Sequence, residues 1–200
     1  MHAQTALIQR LCTATPETPG PLGPVLQQSS PLRPAAVLIP LVFQASRQAW
    51  EILLTVKQTH LTHHGGQVCC PGGQFDPKLD TDLAQTALRE CEEETGIESR
   101  QIELLGEIGH LDTSTGFRVH GFIGLIEQPL APLRLDPGEL SDYFWVPIEV
   151  ALAPDQYTKR SVELNQTQLD TYHFNYAGYC IWGATARLLY EVALLSASPP

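Results

Sequence analysis

Arg89-Glu90-Cys91-Glu92-Glu93-Glu94-Thr95-Gly96-Ile97 is the stretch on which the reading of this chain turns. At about 100° per residue on a helix, Glu90, Glu93 and Glu94 fall within one arc of roughly 100°. Like charges three and four residues apart destabilise a helix by roughly 0.2–0.5 kcal/mol per pair. In a last turn they also oppose the helix dipole, whose C-terminal end favours cations. Local physics disfavours the arrangement twice, and a bound divalent cation reverses both signs. Magnesium suits these donors, because it takes oxygen ligands and commonly bridges one or two carboxylates to substrate phosphates. Taken alone, Glu-x-x-Glu-Glu reads as a solvated acidic face. Its neighbours change the reading. Arg89 can pair with Glu93 at i, i+4, and upstream Cys70-Pro71-Gly72-Gly73 is a turn whose glycines let backbone approach a ligand. A glycine turn, a helix, a positioning arginine and three clustered carboxylates describe a site for a metal and a diphosphate.

The helix that carries these residues is predicted from about Thr81 to Thr95. Asp80 or Thr81 can cap its first N–H groups, and Gly96 sits where a left-handed C-terminal cap belongs. Leu83, Ala84, Ala87, Leu88 and Cys91 recur at helical spacing and give it one buried face. Before it, the apolar runs Ala35–Phe43 and Trp50–Val56 flank polar Gln44–Gln48 and fit a hairpin. Gly65–Pro77 reads as loop with a short strand embedded. After the helix come strand candidates at Ile102–Gly109 and Val119–Ile126, a proline-broken connection from Pro129 to Pro137, and a short segment at Phe144–Pro147. A strand at Asp170–Phe174 and an amphipathic helix at Ile181–Leu195 follow. Residues 1–33 start with a helical candidate, Thr5–Leu11, and then meet a run of prolines and glycines, so they read as an N-terminal arm. Strands before, between and after two helices in 200 residues make one mixed α/β domain.

Composition removes several alternatives. The formal net charge is −10, from 22 acidic against 12 basic residues. That balance argues against nucleic acid or an anionic membrane as partner, because either needs a basic surface to displace counterions. The longest apolar run, Ala35–Phe43, is far shorter than the roughly 20 residues a spanning helix requires. Five cysteines without a C-x-x-C spacing suggest neither a disulfide framework nor a zinc site, and read as small buried hydrophobes of a cytoplasmic protein. Between Gly73 and Ile97, Asp76, Asp80, Asp82, Glu90, Glu92, Glu93 and Glu94 face only Lys78 and Arg89. Much of the negative balance is thus concentrated around one helix.

At these residues the sequence resembles the Nudix hydrolases, whose signature reads G-x5-E-x7-R-E-U-x-E-E-x-G-U with U apolar. Arg89, Cys91, Gly96, Ile97 and the three glutamates match its second half at every fixed position. The first half departs: Gly73 to Glu90 is two residues longer than the signature, and Thr81 stands where a glutamate belongs, with Asp76, Asp80 and Asp82 as acidic substitutes nearby. A closer resemblance, over most of residues 35–195, is to the coenzyme A pyrophosphatase branch, which carries L-L-T-x-R-[SA]-x3-R-x3-G-x3-F-P-G-G before the signature. Leu53-Leu54-Thr55-Val56-Lys57-Gln58, Thr62, Gly66 and Cys70-Pro71-Gly72-Gly73 keep that spacing. Both arginines are replaced, by Lys57 and Thr62, the small residue by Gln58 and the phenylalanine by Cys70. Thr115-Gly116-Phe117-Arg118-Val119, Glu139 ahead of Phe144-Trp145-Val146-Pro147, and Ile181-Trp182-Gly183-Ala184-Thr185-Ala186 also look like the branch.

The resemblance implies an α/β/α sandwich with a mixed β-sheet between helices, formed by residues 34–200. It implies Mg2+ or Mn2+ as cofactor on Glu90, Glu93 and Glu94 with the Gly73 carbonyl, and Glu93 or Glu139 as the base that takes a proton from water. Arg89 would position a carboxylate. Coenzyme A or an acyl derivative would be cleaved to 3′,5′-ADP and (acyl-)4′-phosphopantetheine. Lysine meets phosphate only as a point charge, whereas arginine reads it through a two-pronged fork. Recognition would then fall to Lys57, His60, His63 or His64, with Gly72 and Phe117 lining the substrate. Trp145, Trp182, Tyr172 and Phe174 read as core residues or as the wall of an adenine or pantetheine pocket. Other nucleoside diphosphates (ADP-ribose, NADH, oxidised nucleotides) and a catalytically silent nucleotide-binding module are the alternatives. A monomer or a homodimer is expected.

Overall fold

In the computed structural model, residues 8–11, 15–16, 18–23, 30–61, 64–128, 130–164 and 167–197 are described. The predicted hairpin is β1 (Arg33–Gln44) and β2 (Ala49–Lys57), paired antiparallel from Leu41↔Ile52 to Gln44↔Ala49. Successive strand side chains point to opposite faces. Ala36, Leu38 and Val42 therefore share one core with Leu53, whereas Ile39 and Leu41 share a second with Ile52 and Leu54. Burial on both faces explains the nearly continuous apolar text of both strands.

Beyond Leu41↔Ile52 the two strands part, and a wedge fills the split. Its first half, β3 (Val68–Cys69), pairs with β2, and its second half, β4 (Gly72–Gln74), pairs with β1 at Ala35–Val37. The predicted single embedded strand is thus two short ones joined through Cys70 and Pro71. Pro40 lies in the gap between the two ladders of β1. Leu38 donates to the Pro71 carbonyl across that edge (2.8 Å), and residue 40 faces the same way, so the missing proline N–H breaks no ladder bond.

The other edge of β1 runs parallel to β6 (Phe117–Ile126), from Arg33↔Phe117 to Val42↔Ile126. β5 (Ile102–Asp112) adds antiparallel to β6. The predicted segment at Phe144–Pro147 is the end of a longer strand, β7 (Leu140–Pro147), which pairs with β2 and completes a seven-stranded mixed sheet. α1 (Leu83–Thr95) lies on one face, burying Ala87 and Cys91 with Ala36, Leu38 and Leu53. α2 (Ile148–Ala151) and α3 (Gly183–Ala197) cover the other, where Ala186, Leu189, Val192 and Ala193 meet Ile39 and Ile52. This is the expected α/β/α sandwich.

A second, three-stranded antiparallel sheet was not anticipated. It consists of β8 (Thr158–Leu164), β9 (Thr167–Tyr176) and β10 (Tyr179–Trp182), and it joins the α3-side core through Tyr172, Phe174 and Ile181. The helix predicted from Ile181 begins instead at Gly183, because Ile181 and Trp182 pair with Phe174 and His173. The helix-start prediction at α1 also shifts: Asp82, not Asp80 or Thr81, accepts the Gln85 N–H at 2.8 Å. Of the helical candidate Thr5–Leu11, residues 8–11 are helical, with Ile8 and Leu11 buried, while Thr5, Ala6 and Leu7 lie outside the described residues. Farther along the lead-in, Gly20–Leu22 runs beside β5: His110 donates to Gly20 (3.0 Å) and Leu22 to His110 (2.7 Å). Cys70 and Cys91 are buried as expected, but Cys69 is half-buried and Cys180 exposed; these four are free thiols, and Cys12 lies outside the described residues. No helix among the described residues is long and apolar enough to cross a membrane.

Candidate active site

Strand parity aims Lys57 at α1. It shares the β2 face of Leu53, the face covered by that helix. From the helix side, Glu94 meets it, with Lys57 Nζ to Glu94 Oε1 at 2.5 Å. The wedge brings up the glycine turn, and Gly72 donates its N–H to Glu94 Oε2 at 3.3 Å. Gly72 itself sits against β1, where a Cβ would lie 2.4 Å from the Ala36 carbonyl oxygen. At Gly73 a Cβ would fall 2.4 Å from the Glu90 carboxylate, so a side chain there would push that carboxylate aside.

The connection from β6 to β7 supplies the fourth part. Arg134 donates to Thr95 O (2.9 Å) and Asp136 to Glu94 O (3.0 Å), satisfying carbonyls that a helix end leaves without intrahelical partners. Asp136 then closes a tight turn by accepting from Gly138 (2.8 Å) and Leu140 (2.8 Å). Glu139, on that turn, accepts from Lys57 Nζ at 2.8 Å. Its backbone carbonyl accepts from Gln58 N (2.7 Å), and the Gln58 side chain donates to Pro137 O (3.2 Å) and Leu140 O (3.1 Å). The Glu139 loop is thus tied onto the site.

Arg89 organises the other two carboxylates. Its Nη1 donates to Glu90 Oε1 (2.8 Å) and Glu93 Oε2 (2.9 Å), the second being the predicted i, i+4 pair. Its Nε and Nη2 form a fork on Asp80, at 2.7 and 2.9 Å. Asp80 is buried and also accepts from Thr86 Oγ1 (2.9 Å) and Asp76 N (3.0 Å). The Arg89 hydrogen bonds pull the Asp80 carboxyl down to about 2, against a desolvation that works the other way. Of the three acids offered as substitutes for the glutamate missing at Thr81, Asp80 is the one that holds Arg89. Thr81 donates its N–H and hydroxyl to the Gln85 side chain instead.

Burial pushes the Glu94 carboxyl up to about 7, with Lys57 opposing the shift. Burial also raises Glu90, again opposed by Arg89. Desolvation disfavours the Lys57 ammonium, but Glu94 and Glu139 more than offset it and hold its pKa above the ordinary lysine range. Carboxylate and carbonyl oxygens from Glu90, Glu93, Glu94 and Gly73 are the hard donors that Mg2+ or Mn2+ takes. Glu90 packs against Gly73, whereas Glu90, Glu93 and Glu94 do not gather their oxygens within 4.8 Å of one another among the described residues. The carboxylates are now shared between two internal cations, with Glu90 and Glu93 on Arg89 and Glu94 on Lys57.

Other sequence-predicted residues stand apart. His60 and His64 lie exposed beyond β2, His64 bonding Gln67 at 2.8 Å, and neither bonds the carboxylate cluster among the described residues. Thr62 and His63 lie outside the described residues. Phe117 is under the Arg33 guanidinium, 3.8 Å from ring centroid to Cζ. A cleft of about 360 Å³ opens beside Glu90 and Arg89, walled by Gln74, Phe75, Asp76 and Leu79. Tyr172 and Phe174 are core residues, Trp145 packs on the α1-side core, and Trp182 is exposed. Sequence reasoning missed Gln58 and Asp136 as supports of Glu139. The signal for Gln58 was its place beside Lys57, where the branch has a small residue.

A carboxylate helix clamped by arginine lies over a glycine turn in a split mixed sheet. Residues 32–166 match the NUDIX domain. The chain is 36% identical over 161 residues to the uncharacterized Nudix hydrolase NudL of Photorhabdus laumondii subsp. laumondii, covering 80% of this chain and 83% of that protein. It is 38% identical over 162 residues to the NudL of Salmonella paratyphi B, covering 81% and 82%. Among solved structures, an Ap4A hydrolase binary complex from C. elegans aligns with TM-score 0.48 and 24% identity over 59% of this chain and 83% of that one. RenU, a Nudix hydrolase from M. smegmatis, aligns at 0.49 and 21% over 61% and 75%. The chain belongs to the Nudix hydrolase family. It is a pyrophosphohydrolase.

Proposed function

We propose that this Nudix hydrolase cleaves the diphosphate of coenzyme A or an acyl-CoA, releasing 3′,5′-ADP and (acyl-)4′-phosphopantetheine. The observation that carries the reading is Lys57. It stands at the position of the branch's first arginine and brings its ammonium between Glu94 and Glu139, at the carboxylate site. Glu90, Glu93, Glu94 and the Gly73 carbonyl would hold Mg2+ or Mn2+. Such an ion, when bound, polarises a phosphoryl oxygen and acidifies a water. Arg89 keeps Glu90 and Glu93 oriented through its anchor on Asp80. Glu93 and Glu139 are the more exposed carboxylates, with side chains 56% and 50% accessible, and one of them takes the proton from the attacking water. Lys57 would meet a substrate phosphate beside these carboxylates as a point charge. Gly72, His60, His64 and Phe117 are proposed substrate contacts. Residues 34–200 form the hydrolase domain behind the N-terminal arm, acting in the cytoplasm as a monomer or homodimer.

A second reading has its own support. Lys57 is turned inward and lacks arginine's fork, which favours a diphosphate without the 3′-phosphate of coenzyme A, such as ADP-ribose or NADH. A magnesium-dependent assay across coenzyme A, acyl-coenzyme A, ADP-ribose, NADH and nucleoside triphosphates separates the two. Release of 3′,5′-ADP is expected. Turnover confined to ADP-ribose or NADH, with AMP as product, overturns the coenzyme A assignment and leaves the Nudix reaction standing.

A further inference from the structure

Glu107, His110 and His120 form a cluster outside the carboxylate helix. Each offers one ligand atom, and the three atoms lie within 4.8 Å of one another; no other group of three is so close among the described residues. His110 and His120 face each other across the β5–β6 ladder, with ring centroids 5.1 Å apart. Glu107 Oε1 lies 2.7 Å from His120 Nδ1.

The convergence depends on an irregularity in β5. Residues 107 and 110 are an odd number of positions apart, so a regular strand would send them to opposite faces. The register shifts between Glu107 and Gly109, and Gly109 has φ +137°. A bulge of this kind re-aims a side chain, and here it brings Glu107 and His110 to one face. The lead-in pins the bulge from outside: a Cβ at Gly109 would lie 2.6 Å from the Gly20 carbonyl oxygen. His110 is fixed through both its backbone groups, to Gly20 and Leu22. Arg118, the next residue on this face of β6, has its charge taken by Asp112 at 2.8 Å, which leaves Glu107 as the acid facing the two rings.

We propose that Glu107, His110 and His120 bind a divalent transition-metal ion of the zinc type, separately from the Nudix carboxylates. Two imidazoles and one carboxylate are a known zinc donor set with one position left for water, at metal–ligand distances of about 2.0–2.2 Å. A side-chain adjustment of about an ångström closes the present triangle onto such an ion. The two sites sort metals by chemistry. Imidazole favours zinc, nickel or copper, whereas the all-oxygen set at the helix favours magnesium or manganese. The site lies on the α1 face of the sheet, since His120 is the β6 partner of Ala36, whose other partner is Gly73. Two strand spacings, about 10 Å, separate it from the glycine turn.

The test is titration of the full chain with Zn2+ in excess Mg2+, followed by calorimetry, and with Co2+, followed by its visible d–d absorption. One equivalent should bind, with a Co2+ spectrum of low coordination number. His110→Gln, His120→Gln and Glu107→Gln should each weaken Zn2+ binding by more than about tenfold, while their metal-free circular dichroism melts match the parent chain. Failure of the parent chain to bind Zn2+, or undiminished binding in all three variants, would overturn the site.

Discussion

Asp80 is the residue on which the site's order rests, because Arg89 can hold Glu90 and Glu93 only while its other edge is anchored. Asp80→Asn keeps an oxygen acceptor and removes the charge. It should lower stability by on the order of 2 kcal/mol and reduce turnover as well, measured by denaturant unfolding and initial rates on the same preparation. An unaltered rate with the expected stability loss would make Asp80 a purely structural partner. Arg89, Glu90, Glu93 and Glu94 were legible in the sequence because their spacing violates helix electrostatics in a way that demands compensation. Asp80 was only half legible. A signature lengthened by two residues shows that a glutamate's role has moved, but choosing among Asp76, Asp80 and Asp82 takes the three-dimensional course of the loop.

At the scale of elements, the wedge between β1 and β2 and the turn beyond β6 bring backbone to the helix. Gly73→Ala would drive a Cβ into the Glu90 carboxylate, the movable end of a side chain. Stability should change by less than about 1 kcal/mol, while turnover falls by up to about a hundredfold as Glu90 is displaced. Gln58→Ser, which restores the branch's small residue, removes two side-chain bonds to the Glu139 turn. A loss of about 1–2 kcal/mol is expected, with faster amide exchange at residues 138–140; unchanged exchange there would show that the Asp136 turn holds itself. The hairpin, α1 and strands β5 and β6 were readable from apolar runs and periodicity. β8 was not, since Thr158–Ser161 is polar and exposed throughout and offers no alternation. Trp182 was misassigned to a helix because an apolar strand end runs directly into α3, and only pairing with β9 separates them.

Across the whole molecule, acidic residues outnumber basic ones by ten, and two of the cations are set among the site's carboxylates. Arg89 and Lys57 each bridge two or more carboxylates. This gives stability a defined acid limb. Asp80, held at about 2 in the fold against an ordinary 3.8, contributes stability that is present above the ordinary value and lost as pH falls through about 2. Melting temperatures of the parent chain and Asp80→Asn should therefore converge on acidification between those values; a constant difference would contradict the ion pair. The central claim is that the α1 carboxylates carry out metal-assisted diphosphate hydrolysis. It is tested most directly by magnesium-dependent turnover, in Glu93→Gln and Glu94→Gln, of the diphosphate substrate that the parent chain hydrolyses. Turnover should be abolished in both variants, and undiminished activity in both would contradict the claim.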